Sequence, residues 1–156
     1  MVARLLFWSG SPACSDAGFA ATSVDDIVSA QWAKFVALAT NAAMTCLTRQ
    51  PAGVCYHDEV LLELAKRSIA EVVAVGRAAG AKLPDAIERH ALALLQSFPA
   101  HMYASMYHDL QGGKPLELDG LSGHVVRSGQ AYGIDTPFHQ TAWGCLRPYV
   151  NGKELA

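Results

Sequence analysis

Lys34 is the lone charge in an otherwise apolar stretch from Ile27 to Thr48, and on a helix Leu38, Asn41 and Thr45 follow it along one face. An ammonium there has two readings. It either snorkels from a partly exposed face, or it lines a cleft in which it gives up a proton or holds a carboxylate. Glu117, between Leu116 and Leu118, is likewise either a first-turn acid favoured by the helix dipole or a carboxylate of a site. The six histidines, at 57, 90, 101, 108, 124 and 139, form neither H-E-x-x-H nor an i, i+4 pair. His101 and His108 share a helical face with Ser105 and no more, so no metal is expected. Neither G-x-G-x-x-G after a strand nor a phosphate-binding G-x-x-x-x-G-K-[ST] occurs, and Gly112-Gly-Lys114 reads as a helix-ending turn. Gly120-Leu-Ser-Gly123 is one residue short of a nucleophile elbow.

The elements that must position these groups read as helices almost throughout after residue 24. Ser23-Val-Asp-Asp26 is a capping-box-like start, after which Val28, Trp32, Phe35, Ala39, Ala42 and Cys46 make one face apolar to about Leu47. Gln50-Pro51-Ala52-Gly53 breaks that helix. A second helix is expected from about Asp58 to Ala79 with Gly80 ending it, and a third from Pro84 to the stop at Pro99. A fourth covers about His101 to Leu110, and a fifth follows Glu117-Leu-Asp119 and runs to Tyr132-Gly133. The sixth has Thr136 as N-cap and Pro137 as first residue and reaches about Val150. Six helices with short connections make an all-α bundle. Phe19 to Val24 reads as an orphan strand.

Length and composition agree with one folded domain. The chain has 156 residues, of which 51% are hydrophobic and 17% charged, far from the composition of disordered chains. A formal charge of -2 with no block of like charges argues against nucleic acid as a partner. The uncharged stretch from Phe35 to Thr48 falls short of the roughly 20 residues that span a bilayer. The four cysteines, Cys14, Cys46, Cys55 and Cys145, show no C-x-x-C spacing and are expected to be reduced and buried, in a cytoplasmic protein.

Four pieces of the sequence go further. They are Asp26-Ile27 with Trp32-Ala-Lys34-Phe35; Met44-Thr-Cys-Leu-Thr-Arg49 with Pro51 and Gly53; Ser105-Met106-x-x-Asp109-Leu110 leading to Gly113-Lys-Pro-Leu-Glu117-Leu-Asp119 and Gly123; and Gly133-Ile-Asp-Thr-Pro137. On these, the segment from Gly18 to Gly152 resembles the C-terminal helical domain of the ketopantoate reductase (2-dehydropantoate 2-reductase) family. The resemblance implies a domain of the 6-phosphogluconate dehydrogenase C-terminal-like kind in residues 25–156. Residues 1–24 would be the remnant of the end of a nucleotide-binding domain, which accounts for the orphan strand.

Members of that family reduce ketopantoate to pantoate, in pantothenate biosynthesis, between this domain and an N-terminal Rossmann domain that binds NADPH. The resemblance gives Lys34 the part of general acid toward the ketone, Glu117 that of a carboxylate organising the site, and Ser105 that of a substrate-carboxylate ligand. The family's asparagines four and eight places after the lysine fall on Leu38 and Ala42, and the one after the proline falls on Ala52. Asn41, one place off, is the amide left on that face and the remaining substrate-binding candidate. NADPH would be bound only if a nucleotide-binding domain is supplied, by a separate Rossmann polypeptide or by a longer gene product, and this chain alone is not expected to turn over. The alternative is a non-catalytic helical module that self-associates as a homodimer, with Phe7, Trp8, Phe19 and Val24 as contact candidates.

Overall fold

A computed structural model of the chain describes residues 25–152. Among them there are seven α-helices, two 3-10 turns and no strand. The helices are α1 (Ile27–Thr48), α2 (Ala52–Cys55), α3 (Glu59–Ala78), α4 (Ile87–Gln96), α5 (Ser105–Gly112), α6 (Ser122–Tyr132) and α7 (Pro137–Leu146). The 3-10 turns are Glu117–Asp119 and Arg147–Tyr149. The expected strand and the four contact candidates in the first 24 residues lie outside the described residues.

Helix α1 is the axis of the bundle, packing on α3, α4, α5 and α7. Asp26 caps it by accepting from the Ser29 amide at 3.0 Å. Its apolar pattern suggests one buried face, yet every residue from Ala39 to Cys46 is buried. Ala37, Ala39, Ala42 and Ala43 explain the difference, because small side chains let neighbours close in on all sides. Two clusters meet along this helix. Val36 and Met44 join Tyr56, Ile69, Val72 and Leu95 in one, and Ala42 and Cys46 join Met106, Leu110, Leu118 and Leu146 in the other.

Several boundaries depart from the sequence pattern, each for a local reason. Residues 52–55 form the one-turn helix α2 instead of a plain break. The third helix opens at Ile87 and not at Pro84, because the Ile87 amide closes a tight i to i+3 turn on the Pro84 carbonyl, which also accepts from Arg77. The fourth opens at Ser105 and not at His101. The Ala100 and Met102 carbonyls are held by the amides of Gly53 and Ala52, at 3.0 and 2.8 Å, so this stretch serves α2 instead of a helix of its own. The last helix tightens into a 3-10 turn at Pro148, which has no amide hydrogen to donate.

Thr136 makes no capping bond at the start of α7. That work falls to Glu71 of α3, whose carboxylate accepts from the amides of Phe138 and His139 at 2.7 and 3.0 Å. Beside it, a buried polar chain links four helices. Thr40 meets Ser68 at 2.9 Å, Ser68 meets the Nε2 of His139 at 3.0 Å, and His139 Nδ1 meets Ser122 at 3.2 Å. Cys46 and Cys55 are buried and free, whereas Cys145 is exposed, against expectation. It falls on the outer side of α7, which turns His139, Ala142 and Leu146 inward.

Candidate functional site

The face of α1 that begins at Lys34 runs from the surface into the interior. Lys34 is exposed, Leu38 is 46% exposed, Asn41 is 6% exposed and Thr45 is fully buried. Lys34 has no carboxylate within salt-bridge distance among the described residues. Among these residues no carboxylate competes with a ligand for its charge.

Asn41 is fixed from below. The hydroxyl of fully buried Tyr56 donates to its side-chain oxygen at 2.8 Å, leaving the amide nitrogen as the end free to act. Burial raises the pKa of Tyr56, which keeps it a neutral donor. Tyr56 itself is positioned as the cap of α2, its amide donating to the Ala52 carbonyl at 3.1 Å.

The stretch that pairs with α2 also supplies the opposite wall. Met102, Tyr103, Ala104 and Ser105 line a pocket of about 410 Å³ together with Lys34, Ala37, Leu38 and Asn41 of α1 and with Leu94 and Phe98. Tyr103 stacks on Tyr107 with ring centroids 4.0 Å apart, which stiffens that wall. Helix α5 starts in the pocket at Ser105 without a side-chain cap, so its first amides and its dipole favour an anion there.

Lys34, Asn41 and Ser105 are thus brought into one pocket, and Glu117 is not among the residues lining it. Glu117 is exposed on the first 3-10 turn, between buried Leu116 and Leu118. That turn is pinned through Asp119, which accepts from Trp143 at 2.8 Å and from Arg147 at 3.1 Å. Tyr56, Phe98, Met102 and Tyr103 carried no motif; the one local signal for Tyr56 was a polar-tipped aromatic just after the proline break.

Among the described residues no group of histidine, cysteine and acidic side chains is arranged to hold a metal ion, and no helix is long and apolar enough to cross a membrane. They do not fit NADPH either. A dinucleotide's pyrophosphate is cradled where a strand turns through glycines into a helix, and no strand occurs among them.

Residues 26–150 match the family model described as "Ketopantoate reductase PanE/ApbA C terminal". The 2-dehydropantoate 2-reductase of Caulobacter vibrioides is 37% identical over 114 residues, covering 73% of this chain and 39% of that protein. A PanE/ApbA family ketopantoate reductase from Ralstonia eutropha JMP134 superposes with a TM-score of 0.82 at 29% identity, over 89% of this chain and 46% of that one. The dimeric ketopantoate reductase of Staphylococcus aureus gives a TM-score of 0.78 over 84% of this chain and 46% of that one. At 24% identity it speaks for the fold alone. The chain spans less than half the length of these relatives.

Proposed function

Because the chain belongs to the ketopantoate reductase family, matching its C-terminal domain, we propose that it is the substrate-binding half of an NADPH-dependent 2-oxo acid reductase. The observation that carries this reading is the meeting of Lys34, Asn41 and Ser105 in one pocket. Ser105 and the uncapped amides of α5 hold the substrate carboxylate. Lys34 gives a proton to the ketone oxygen as that oxygen gains negative charge during reduction, leaving a hydroxy acid. The Asn41 amide nitrogen, held by Tyr56, donates to an oxygen of the same substrate. Glu117 enters through the family motif, as a carboxylate organising the substrate from outside the pocket wall. NADPH supplies the hydride in this family, and its site belongs to a nucleotide-binding domain that residues 25–152 do not form.

Calorimetric titration of the chain with ketopantoate and related 2-oxo acids tests the reading. Lys34→Met and Ser105→Ala, both at exposed positions, should weaken binding by about tenfold or more while leaving the melting temperature unchanged. Unchanged affinity in both variants overturns it.

A second reading, a self-associating helical module, is favoured by Ile27 and Val28. They are 56% and 49% exposed beside a concavity lined by Gln31, Trp32, Phe35 and His124. Light scattering decides it, since a monomeric mass at micromolar concentration removes the homodimer.

A further inference from the structure

The pocket that holds Lys34, Asn41 and Ser105 has a second character that those three residues do not explain. Most of its wall is carbon: Leu38 from α1, Leu94 from α4, and Phe98, Met102 and Tyr103 from the stretch between α4 and α5. Leu38 and Leu94 are also among the most exposed large hydrophobic side chains of the described residues, at 46% and 50%. Apolar surface held open to water on two facing helices is unfavourable until something covers it. Both leucines open onto the same pocket, so one apolar ligand group covers both.

The polar groups are equally selective. The Tyr56 hydroxyl occupies the Asn41 side-chain oxygen, so Asn41 offers the pocket its N–H groups. Lys34 is a donor only, and the first amides of α5 are donors. A carboxylate and a ketone are acceptors only and match this set. With the carboxylate and the ketone engaging these groups, a hydroxyl on the ligand's side chain lies against the carbon of Leu38, Leu94, Phe98 and Met102, and leaving it unpaired there is costly.

Resting on the reductase reading above, we infer that this pocket selects 2-oxo acids whose side chain is branched or aromatic, apolar and free of hydroxyl groups, and that Leu38 is the residue that sets this preference. Leu38 lies one helical turn beyond Lys34 on the same face and lines the same pocket, which sets it beside a group attached to the ketone carbon when the ketone oxygen meets the ammonium.

The test is calorimetry on the full chain with benzoylformate, 3-methyl-2-oxobutanoate, pyruvate and ketopantoate, and with phenylacetate as an acid that lacks the ketone. Benzoylformate and 3-methyl-2-oxobutanoate should bind about tenfold or more tighter than pyruvate and ketopantoate. Leu38→Asn, at an exposed position and with an unchanged melting temperature as its control, should bring the four oxo acids to within a few-fold of one another. Ketopantoate binding as tightly as benzoylformate, or an unchanged preference in Leu38→Asn, overturns this inference and leaves the reductase reading standing. Phenylacetate binding as tightly as benzoylformate overturns the reductase reading, because the ketone is then unread. Absence of binding by every oxo acid at millimolar concentration overturns both.

Discussion

The Tyr56 hydroxyl donates to the Asn41 side-chain oxygen at 2.8 Å, tying the turn after α2 to the middle of α1 at the floor of the pocket. Both side chains are buried, so neither end of this bond can be replaced by bulk water without cost. Tyr56→Phe keeps the ring and removes the donor. It should lower stability by about 1–2 kcal/mol in urea unfolding, and weaken 2-oxo acid binding several-fold as the Asn41 amide loses its fixed orientation. If stability falls and affinity does not, Tyr56 supports the core and not the pocket.

Gly53 carries the next joint. Its amide holds the Ala100 carbonyl at 3.0 Å, and a Cβ placed on it would stand 2.8 Å from both the Cβ and the carbonyl oxygen of Ala100. The neighbour that would have to yield is largely backbone, and it belongs to the stretch that forms the pocket's outer wall. Gly53→Ala should therefore cost about 1–3 kcal/mol of stability and reduce ligand affinity, whereas Gly144→Ala, where nothing lies within 4 Å, should leave affinity unchanged. Equal behaviour of the two variants in a thermal melt and a titration would remove the proposed coupling.

How much of this was legible in the sequence depends on the range of the interaction. The all-helical fold follows from periodicities of three and four residues, which are local. Lys34 stood out because no other charge lies between Asp26 and Arg49. The walls of the pocket did not, because the stretch from Ala100 to Ser105 is set against α1 by backbone bonds from Ala52 and Gly53 and by the packing of Ala104 with Ala42 and Cys46, all between residues far apart in the sequence. Thr136 and Pro137 mark the start of α7 correctly, yet the bond that caps it comes from Glu71, 67 residues earlier. No local pattern encodes such a partner. The family motif supplied the part given to Ser105 and chose between the two readings that residue chemistry left open for Glu117.

Glu71 accepts two amides at the N-terminus of α7 from a largely buried position. Glu71→Ala leaves both donors without a partner and opens space beside Phe138. The expected loss is about 2–4 kcal/mol by denaturant unfolding. Glu71→Gln, which can accept only through its one carbonyl oxygen, should recover part of it. Full recovery by glutamine would show that the carboxylate's charge and second oxygen contribute nothing.

His139 is fully buried between Ser68 and Ser122, and burial lowers its pKa from 6.5 to about 4. An unfolded chain therefore takes up a proton at this residue well before the folded one does. The stability it contributes is present in full above about pH 6.5 and is lost as the pH falls toward 4, by about 3 kcal/mol over that interval. Glu71 runs the other way. Burial raises its pKa, so its contribution is full below its ordinary value of 4.5 and is lost as the pH rises through the folded value. The two can be separated by His139→Gln, which keeps a hydrogen-bonding side chain and removes the titration while Glu71 remains in both proteins. The difference in unfolding free energy between the wild type and this variant should fall by about 3 kcal/mol from pH 7 to pH 4. Parallel stability curves for the two proteins over that range would mean that His139 protonates alike in the folded and unfolded chains.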